Sequence, residues 1–211
     1  MVNIHKNFSI GYKGSTLVTT DNDITLTSGT HYLLGKNGMG KTTLLRTLAD
    51  LLPPTKGDFS YKGRKLFLPE DLQFDKELNA KAIITSLIPK SRHREALEVA
   101  SKIELNTKLP YGKLSTGNKR KILLILSEYQ LEKESPSFIM MDEPLSGLDQ
   151  EVREFIQARW NTKDENKSRL ISYHPDNENA TLTSVLIITK GKLKHITGKS
   201  LDWSQLRKMI K

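Results

Sequence analysis

Gly35-Lys36-Asn37-Gly38-Met39-Gly40-Lys41-Thr42 is the stretch whose reading decides the fold. It fits G-x-x-x-x-G-K-[ST], and its flanks supply the context the pattern requires. His31 to Leu34 before it reads as an apolar strand. After it Leu44, Leu45, Leu48, Leu51 and Leu52 recur at helical spacing until Pro53-Pro54 stops the run. A glycine-rich turn between strand and helix lets successive backbone N–H groups and the helix N-terminus face an anion. Lys41 would then reach the β- and γ-phosphates of a nucleotide, and the Thr42 hydroxyl would ligate Mg²⁺. The bland alternative is a glycine turn capping a helix beside a surface lysine.

Phe138-Ile139-Met140-Met141-Asp142-Glu143 is the companion, an apolar run ending in two acids. Asp142 at a strand end can hold Mg²⁺ through water, since a hard divalent cation takes carboxylate and phosphate oxygens. Glu143, one residue on, can polarise a water in line with the γ-phosphate. A pair of surface acids after a core strand would look the same in isolation. Guanine is disfavoured as the base, because Asn161-Thr162-Lys163-Asp164-Glu165 does not fit [NT]-K-x-D.

Working outward, the first third is β-rich, with strands expected near Val2 to Ile10, Thr16 to Thr19, Ile24 to Thr27 and His31 to Leu34. Strands Asp58 to Tyr61 and Lys65 to Leu68 follow the first helix. Two short amphipathic helices then fit Glu77 to Glu104, and a strongly apolar one runs from Asn118 to about Leu131. A helix over Val152 to Trp160, a strand Arg169 to Tyr173, a hairpin at Lys190-Gly191-Lys192 and a helix near Trp203 to Ile210 complete the pattern. Strands alternating with helices predict an α/β sheet.

The chain has 211 residues, no cysteine, and 33 Lys+Arg against 24 Asp+Glu, a net charge of +9. The length suits one domain that buries its own core, and the missing thiols exclude disulfides and thiolate sites. No apolar run approaches the roughly 18 to 20 residues of a membrane-spanning helix, and no secretory signal is visible at the N-terminus. The positive charge invites a nucleic-acid reading. The basic residues are scattered, though, with short clusters such as Lys119-Arg120-Lys121, and no aromatic-interleaved stripe accompanies them.

Leu114-Ser115-Thr116-Gly117-Asn118, opening a helix, resembles the signature motif of ATP-binding cassette (ABC) proteins in its L-S-x-G form. The family's other motifs follow in order. Ser146-Gly147-Leu148-Asp149 resembles the D-loop, His174 the switch histidine, and Tyr12 the aromatic that stacks on adenine. The resemblance covers essentially the whole chain. It implies a P-loop NTPase core of the ABC ATPase type, with an N-terminal antiparallel β subdomain and a small α-helical subdomain. Residues 1–70 and 132–211 would form the RecA-like core with the β subdomain, and about 71–131 the helical signature subdomain.

The resemblance also assigns roles. ATP and Mg²⁺ would bind at Gly35, Lys36, Asn37, Gly38, Met39, Gly40, Lys41, Thr42 and Thr43, with Tyr12 on the base and Asp142 and Thr42 on the metal. Ser115 and Gly117 would contact the γ-phosphate held by a second cassette, with Asp149 nearby. Glu143 would be the general base, assisted by His174 and Lys41. For Ser115 an ordinary helix cap, for Tyr12 a core aromatic, and for His174 a plain strand end are the competing readings. The family's usual glutamine after the Lys65 to Leu68 strand is Glu70, which can still contact Mg²⁺ or the lytic water. Thr116, Asn118 and Leu145 are further departures.

The implied function is ATP hydrolysis driving a separate integral-membrane permease, from the cytoplasmic face of the cell membrane. A second copy of the chain, or a related cassette, would complete the dimer. The compact length and the Leu68-Pro69-Glu70-Asp71 segment lean towards the short cassettes of exporters. A soluble ABC ATPase acting on ribosomes or DNA is the alternative. It is disfavoured because Lys41 to Leu114 is too short a span to hold a long coiled coil, and no specific nucleic acid is expected as a partner.

Overall fold

The computed structural model describes residues 1–12, 14–133, 135–162, 164–173, 182–198 and 200–210. The strands are β1 (Val2–Ile4), β2 (Ser9–Tyr12), β3 (Ser15–Thr20), β4 (Ile24–Leu26), β5 (Gly29–Leu34), β6 (Phe59–Tyr61) and β7 (Arg64–Leu68), then β8 (Ser137–Met141), β9 (Lys167–Ser172), β10 (Ser184–Thr189) and β11 (Lys192–Thr197). The helices are α1 (Lys41–Leu48), α2 (Ala80–Leu87), α3 (His93–Lys102), α4 (Thr116–Tyr129), α5 (Gln150–Trp160) and α6 (Trp203–Ile210).

An 8-stranded sheet runs β2-β3-β11-β10-β5-β9-β8-β7, beside a 3-stranded sheet β4-β1-β6. Strands β7, β8, β9, β5 and β10 are mutually parallel. Both faces are covered along β8 and β10, where Phe138 to Met141 and Val185 to Ile188 read as unbroken apolar runs. Alternate residues sort to opposite cores. Tyr32, Leu34, Ile139, Met141, Ile171 and Ile187 join the core formed with α2 to α6. Leu33, Phe138, Met140, Leu170, Leu186 and Ile188 pack with α1 and the small sheet. The mixed α/β architecture expected from the sequence is present.

Three local differences have physical causes. Val2 to Ile10 is two strands, because Asn7 turns the chain at φ 66 and sends β1 and β2 to different sheets. The antiparallel strands of the first third are divided between two sheets: β4, β1 and β6 form an antiparallel sheet of their own, whereas the β2–β3 hairpin continues the main sheet through a parallel β3–β11 pairing. Helix α1 ends at Leu48, short of Pro53. Asp50 takes φ 61, while Asp50 N–H donates to Thr47 O at 3.0 Å and Leu51 N–H to Arg46 O at 2.9 Å. This is a Schellman stop with aspartate in the left-handed position, and it leaves Leu51 61% exposed.

Helices α2, α3 and α4 lie between β7 and β8 in the chain, and α4 is buried from Arg120 through Tyr129. At its far end Glu128 accepts from Arg169 Nη2 at 3.1 Å and Trp160 Nε1 at 3.0 Å, while Arg92 and Lys167 donate to the Glu128 carbonyl. Cations therefore satisfy the last carbonyls of the helix. No helix among the described residues is long and apolar enough to cross a membrane.

A buried histidine, His31, and the half-buried His195 pin β5 to β10 and β11. His31 Nε2 lies 2.9 Å from Thr27 O, which can only accept, so the neutral ring carries its proton there. Nδ1 then accepts from Ser184 Oγ at 2.6 Å, and Ser184 Oγ accepts from His195 Nε2 at 2.8 Å. Burial lowers the His31 pKa from 6.5 to about 4. Below 6.5 the unfolded chain takes up a proton that the folded chain refuses, so this contribution to stability falls between pH 6.5 and about 4. In urea denaturation, His31→Gln should lose less stability across that window than the parent; an equal loss in both would contradict the linkage.

Candidate functional site

The phosphate-loop stretch leaves the end of β5 and turns into α1. Gly40 is the N-cap of α1 at φ 98, and no side chain caps that helix. A Cβ on Gly40 would meet Val18 Cγ2 at 3.3 Å in a conformation that L side chains rarely adopt. Helices α2, α4 and α5 differ, because Asn79, Ser115 and Asp149 each accept from a first-turn N–H. Helix α1 therefore keeps its N-terminal donors free of side-chain acceptors, as an anion site requires. Lys36, Asn37 and Gly38 form the exposed rim and Met39 is half-buried. Lys41 is buried and curls back, donating to Gly35 O at 2.9 Å and reaching Asn37 Oδ1 at 3.4 Å.

Two of the three predicted metal ligands, Thr42 and Asp142, touch. Thr42 Oγ1 donates to Asp142 Oδ2 at 2.6 Å, and Ser172 Oγ donates to Asp142 Oδ1 at 2.6 Å. The Glu143 N–H in turn donates to Ser172 Oγ at 2.7 Å. These contacts span the C-terminal ends of β8 and β9 and the first turn of α1. Among the described residues no group of three or more His, Cys, Asp or Glu side chains could hold a metal ion. The protein offers two hard oxygens, from Thr42 and Asp142. That set fits a cation which arrives with phosphate and water oxygens of its own, as Mg²⁺ does.

Tyr12, at the end of β2, is 46% exposed, and its hydroxyl accepts from Thr43 Oγ1 at 3.3 Å. The ring thus stands beside the start of α1 with free surface. The competing reading of Tyr12 as a core aromatic does not apply. Glu70 follows β7, and its Oε1 accepts from Arg120 Nη2 at 2.6 Å. His174 lies outside the described residues.

Ser115 is exposed and caps α4, accepting from Asn118 N–H at 3.2 Å. A Cβ on Gly117 would come 3.0 Å from Gly147 O, so the signature stretch packs against the 146–149 loop. Asp149 caps α5 through Val152 N–H at 2.8 Å and lies 4.0 Å from Lys121 Nζ. Among the described residues, no hydrogen bond or ion pair joins residues 114–118 to residues 35–43. The chain thus carries two groupings, one around Asp142 and one around Gly117.

Two residues of the site escaped the sequence reading. Ser172 is the one small polar residue inside the buried run Leu170 to Tyr173, and that polarity is its signal. Arg120 was counted in a basic surface cluster, yet it is buried and donates to Glu143 O at 2.9 Å.

Comparison with known proteins bears on the arrangement. A family model described as ABC transporter matches residues 20–146. An uncharacterised ABC transporter ATP-binding protein of Methanocaldococcus jannaschii is 31% identical over 174 residues, 77% of this chain and 64% of that protein. A zinc import ATP-binding protein of Hydrogenovibrio crunogenus is 31% identical over 163 residues, 68% of this chain and 60% of its own length. The chain thus spans less than two thirds of either relative. A solved ATP-binding subunit of an ABC transporter superposes with a TM-score of 0.81 over 100% of this chain and 99% of that one, at 19% identity. At that identity the likeness is one of fold.

Ser172→Ala would leave the Glu143 N–H without its acceptor and Asp142 without one donor. Urea unfolding should record a loss of about 1–3 kcal/mol. A loss below about 0.5 kcal/mol, the range of ordinary surface changes, would contradict the bridging role.

Proposed function

This chain belongs to the ABC transporter family, and from that premise we propose that it is an ATP-binding and hydrolysing subunit that drives a separate membrane-spanning permease. The observation that carries the reading is the unit formed by the uncapped start of α1, Thr42, Asp142, Ser172 and the Glu143 peptide. It joins an anion cradle to a carboxylate pair, which is what cleavage of a terminal phosphate needs.

Lys41 and the loop amides of residues 35–43 hold the phosphates, and the exposed face of Tyr12 takes the adenine. Thr42 and Asp142 hold Mg²⁺. When bound, the ion neutralises charge on the β- and γ-phosphate oxygens. Glu143 accepts the proton of the attacking water, and His174 orients that water. Ser115 and Gly117 meet the γ-phosphate of a second cassette, either another copy of this chain or a related one. This division is supported by the separation of the two groupings, which no hydrogen bond or ion pair joins among the described residues. Gly147 and Asp149, a few residues after Glu143, support the signature loop.

ATP closes two cassettes and hydrolysis reopens them, which moves the permease between access states at the cytoplasmic face of the membrane. Docking is assigned to the stretch from about 77 to 104, beside Glu70, where Leu78 and Leu87 are exposed. The Leu68-Pro69-Glu70-Asp71 segment favours export. One relative is named for zinc import, and transport into or out of vesicles of the co-purified complex reads the direction for this chain.

Glu143→Gln should keep ATP binding, lower kcat by about 10²- to 10⁴-fold, and accumulate an ATP-bound dimer in gel filtration. Parental turnover by this variant would overturn the base assignment.

A further inference from the structure

Arg120 makes contacts that its place in a basic cluster does not explain. It is 7% exposed, on the second turn of α4. Nη1 donates to Glu143 O at 2.9 Å and Nη2 to Glu70 Oε1 at 2.6 Å. The residue it touches is unusual. Glu143 has φ 46, a left-handed conformation that a residue with a Cβ seldom adopts and that surrounding structure must enforce. The enforcement is visible on both sides of its Cα. Ser172 Oγ fixes the direction of the N–H, and so φ; Arg120 fixes the direction of the carbonyl, and so ψ. With both peptide groups held, the Cα–Cβ bond of Glu143 has one direction.

We infer that Arg120 is a positioning residue for Glu143 and that Glu70 holds the Arg120 guanidinium in the plane that serves the Glu143 carbonyl. The inference rests on the reading of Glu143 as the base. Carboxylate 70 and arginine 120 form a matched pair. The planar fork of arginine presents donors at fixed angles, so one nitrogen can be anchored by Glu70 while another serves the carbonyl. A lysine, as a point charge on a flexible stem, serves one partner at a time. The Glu70 side chain is 49% exposed, and such an ion pair adds little stability. Its effect is geometric, and it links the segment after β7 to the orientation of the proposed base.

The test uses the whole chain and measures kcat, the affinity for a fluorescent ATP analogue, and thermal melting. The variants are Arg120→Met, Arg120→Lys, Glu70→Gln and the Glu70→Gln, Arg120→Lys double, with Glu143→Gln as reference. Arg120→Met and Arg120→Lys should each lower kcat by about 10- to 100-fold, with analogue affinity within about twofold of parental. The conservative lysine thus fails to rescue. In the double variant the two effects should not multiply, because they act through one contact. Parental kcat in either Arg120 variant, a loss of affinity large enough to account for the whole fall, or multiplying effects in the double would overturn the inference. Arg120→Lys keeps length and charge, so it carries the test if Arg120→Met does not fold. Parental turnover by Glu143→Gln would sink the base reading itself. Parental turnover by Arg120→Met beside an inactive Glu143→Gln would sink only the positioning role.

Discussion

The carboxylate of Asp142 is the constraint on which the site depends. It is buried at the C-terminal end of β8, and each of its oxygens accepts a hydroxyl hydrogen bond at 2.6 Å. One donor comes from α1 and the other from β9, so a single charged group ties together the parts that a parallel sheet delivers to one edge. A buried carboxylate without such partners would be strongly destabilising, and here both oxygens are satisfied. The strand order makes this possible. Strand β9 lies between β5 and β8, so Ser172 stands between the phosphate loop and the acidic pair. Ligand sites in open α/β sheets form at this edge, beyond the carboxyl ends of the strands.

The contrast among helix starts separates two kinds of anion-directed surface. Side chains cap α2, α4 and α5, whereas α1 presents its first-turn donors to whatever enters the loop. The α4 start bears the signature-like residues, yet in the single chain Ser115 is occupied in capping. On the proposed reading that hydroxyl keeps lone-pair and donor capacity for a partner's phosphate, because accepting one N–H does not use its own O–H. Close packing of Gly117 against Gly147 holds the α4 start firmly enough to offer such a contact.

Much of this was legible in the sequence, for identifiable reasons. The loop from Gly35 to Thr42 announced itself through composition and through the change from strand to helix around it. The run Phe138 to Met141 showed a buried parallel strand because both faces of β8 are covered. The end of α1 was not legible. Periodicity carried it past Leu48, while the actual stop is an aspartate in a left-handed conformation that no pattern of apolar residues records. Arg120 and Ser172 were hidden for a different reason. Their roles depend on strands and helices distant in sequence, and a buried arginine next to Lys119 and Lys121 looks like a solvated face. In the fold the cluster divides, with Lys119 over the Tyr111 ring, Arg120 at Glu143 and Lys121 towards Asp149.

On the proposed reading, Asp142 and Thr42 add a Mg²⁺ site to a phosphate cradle that binds ATP without the metal. Calorimetric titration of ATP with and without Mg²⁺, on the parent and on Asp142→Asn, tests it most directly. Mg²⁺ should tighten ATP binding to the parent, and Asp142→Asn should lose this gain while still binding metal-free ATP. An Asp142→Asn protein that binds Mg²⁺·ATP as tightly as the parent would contradict it.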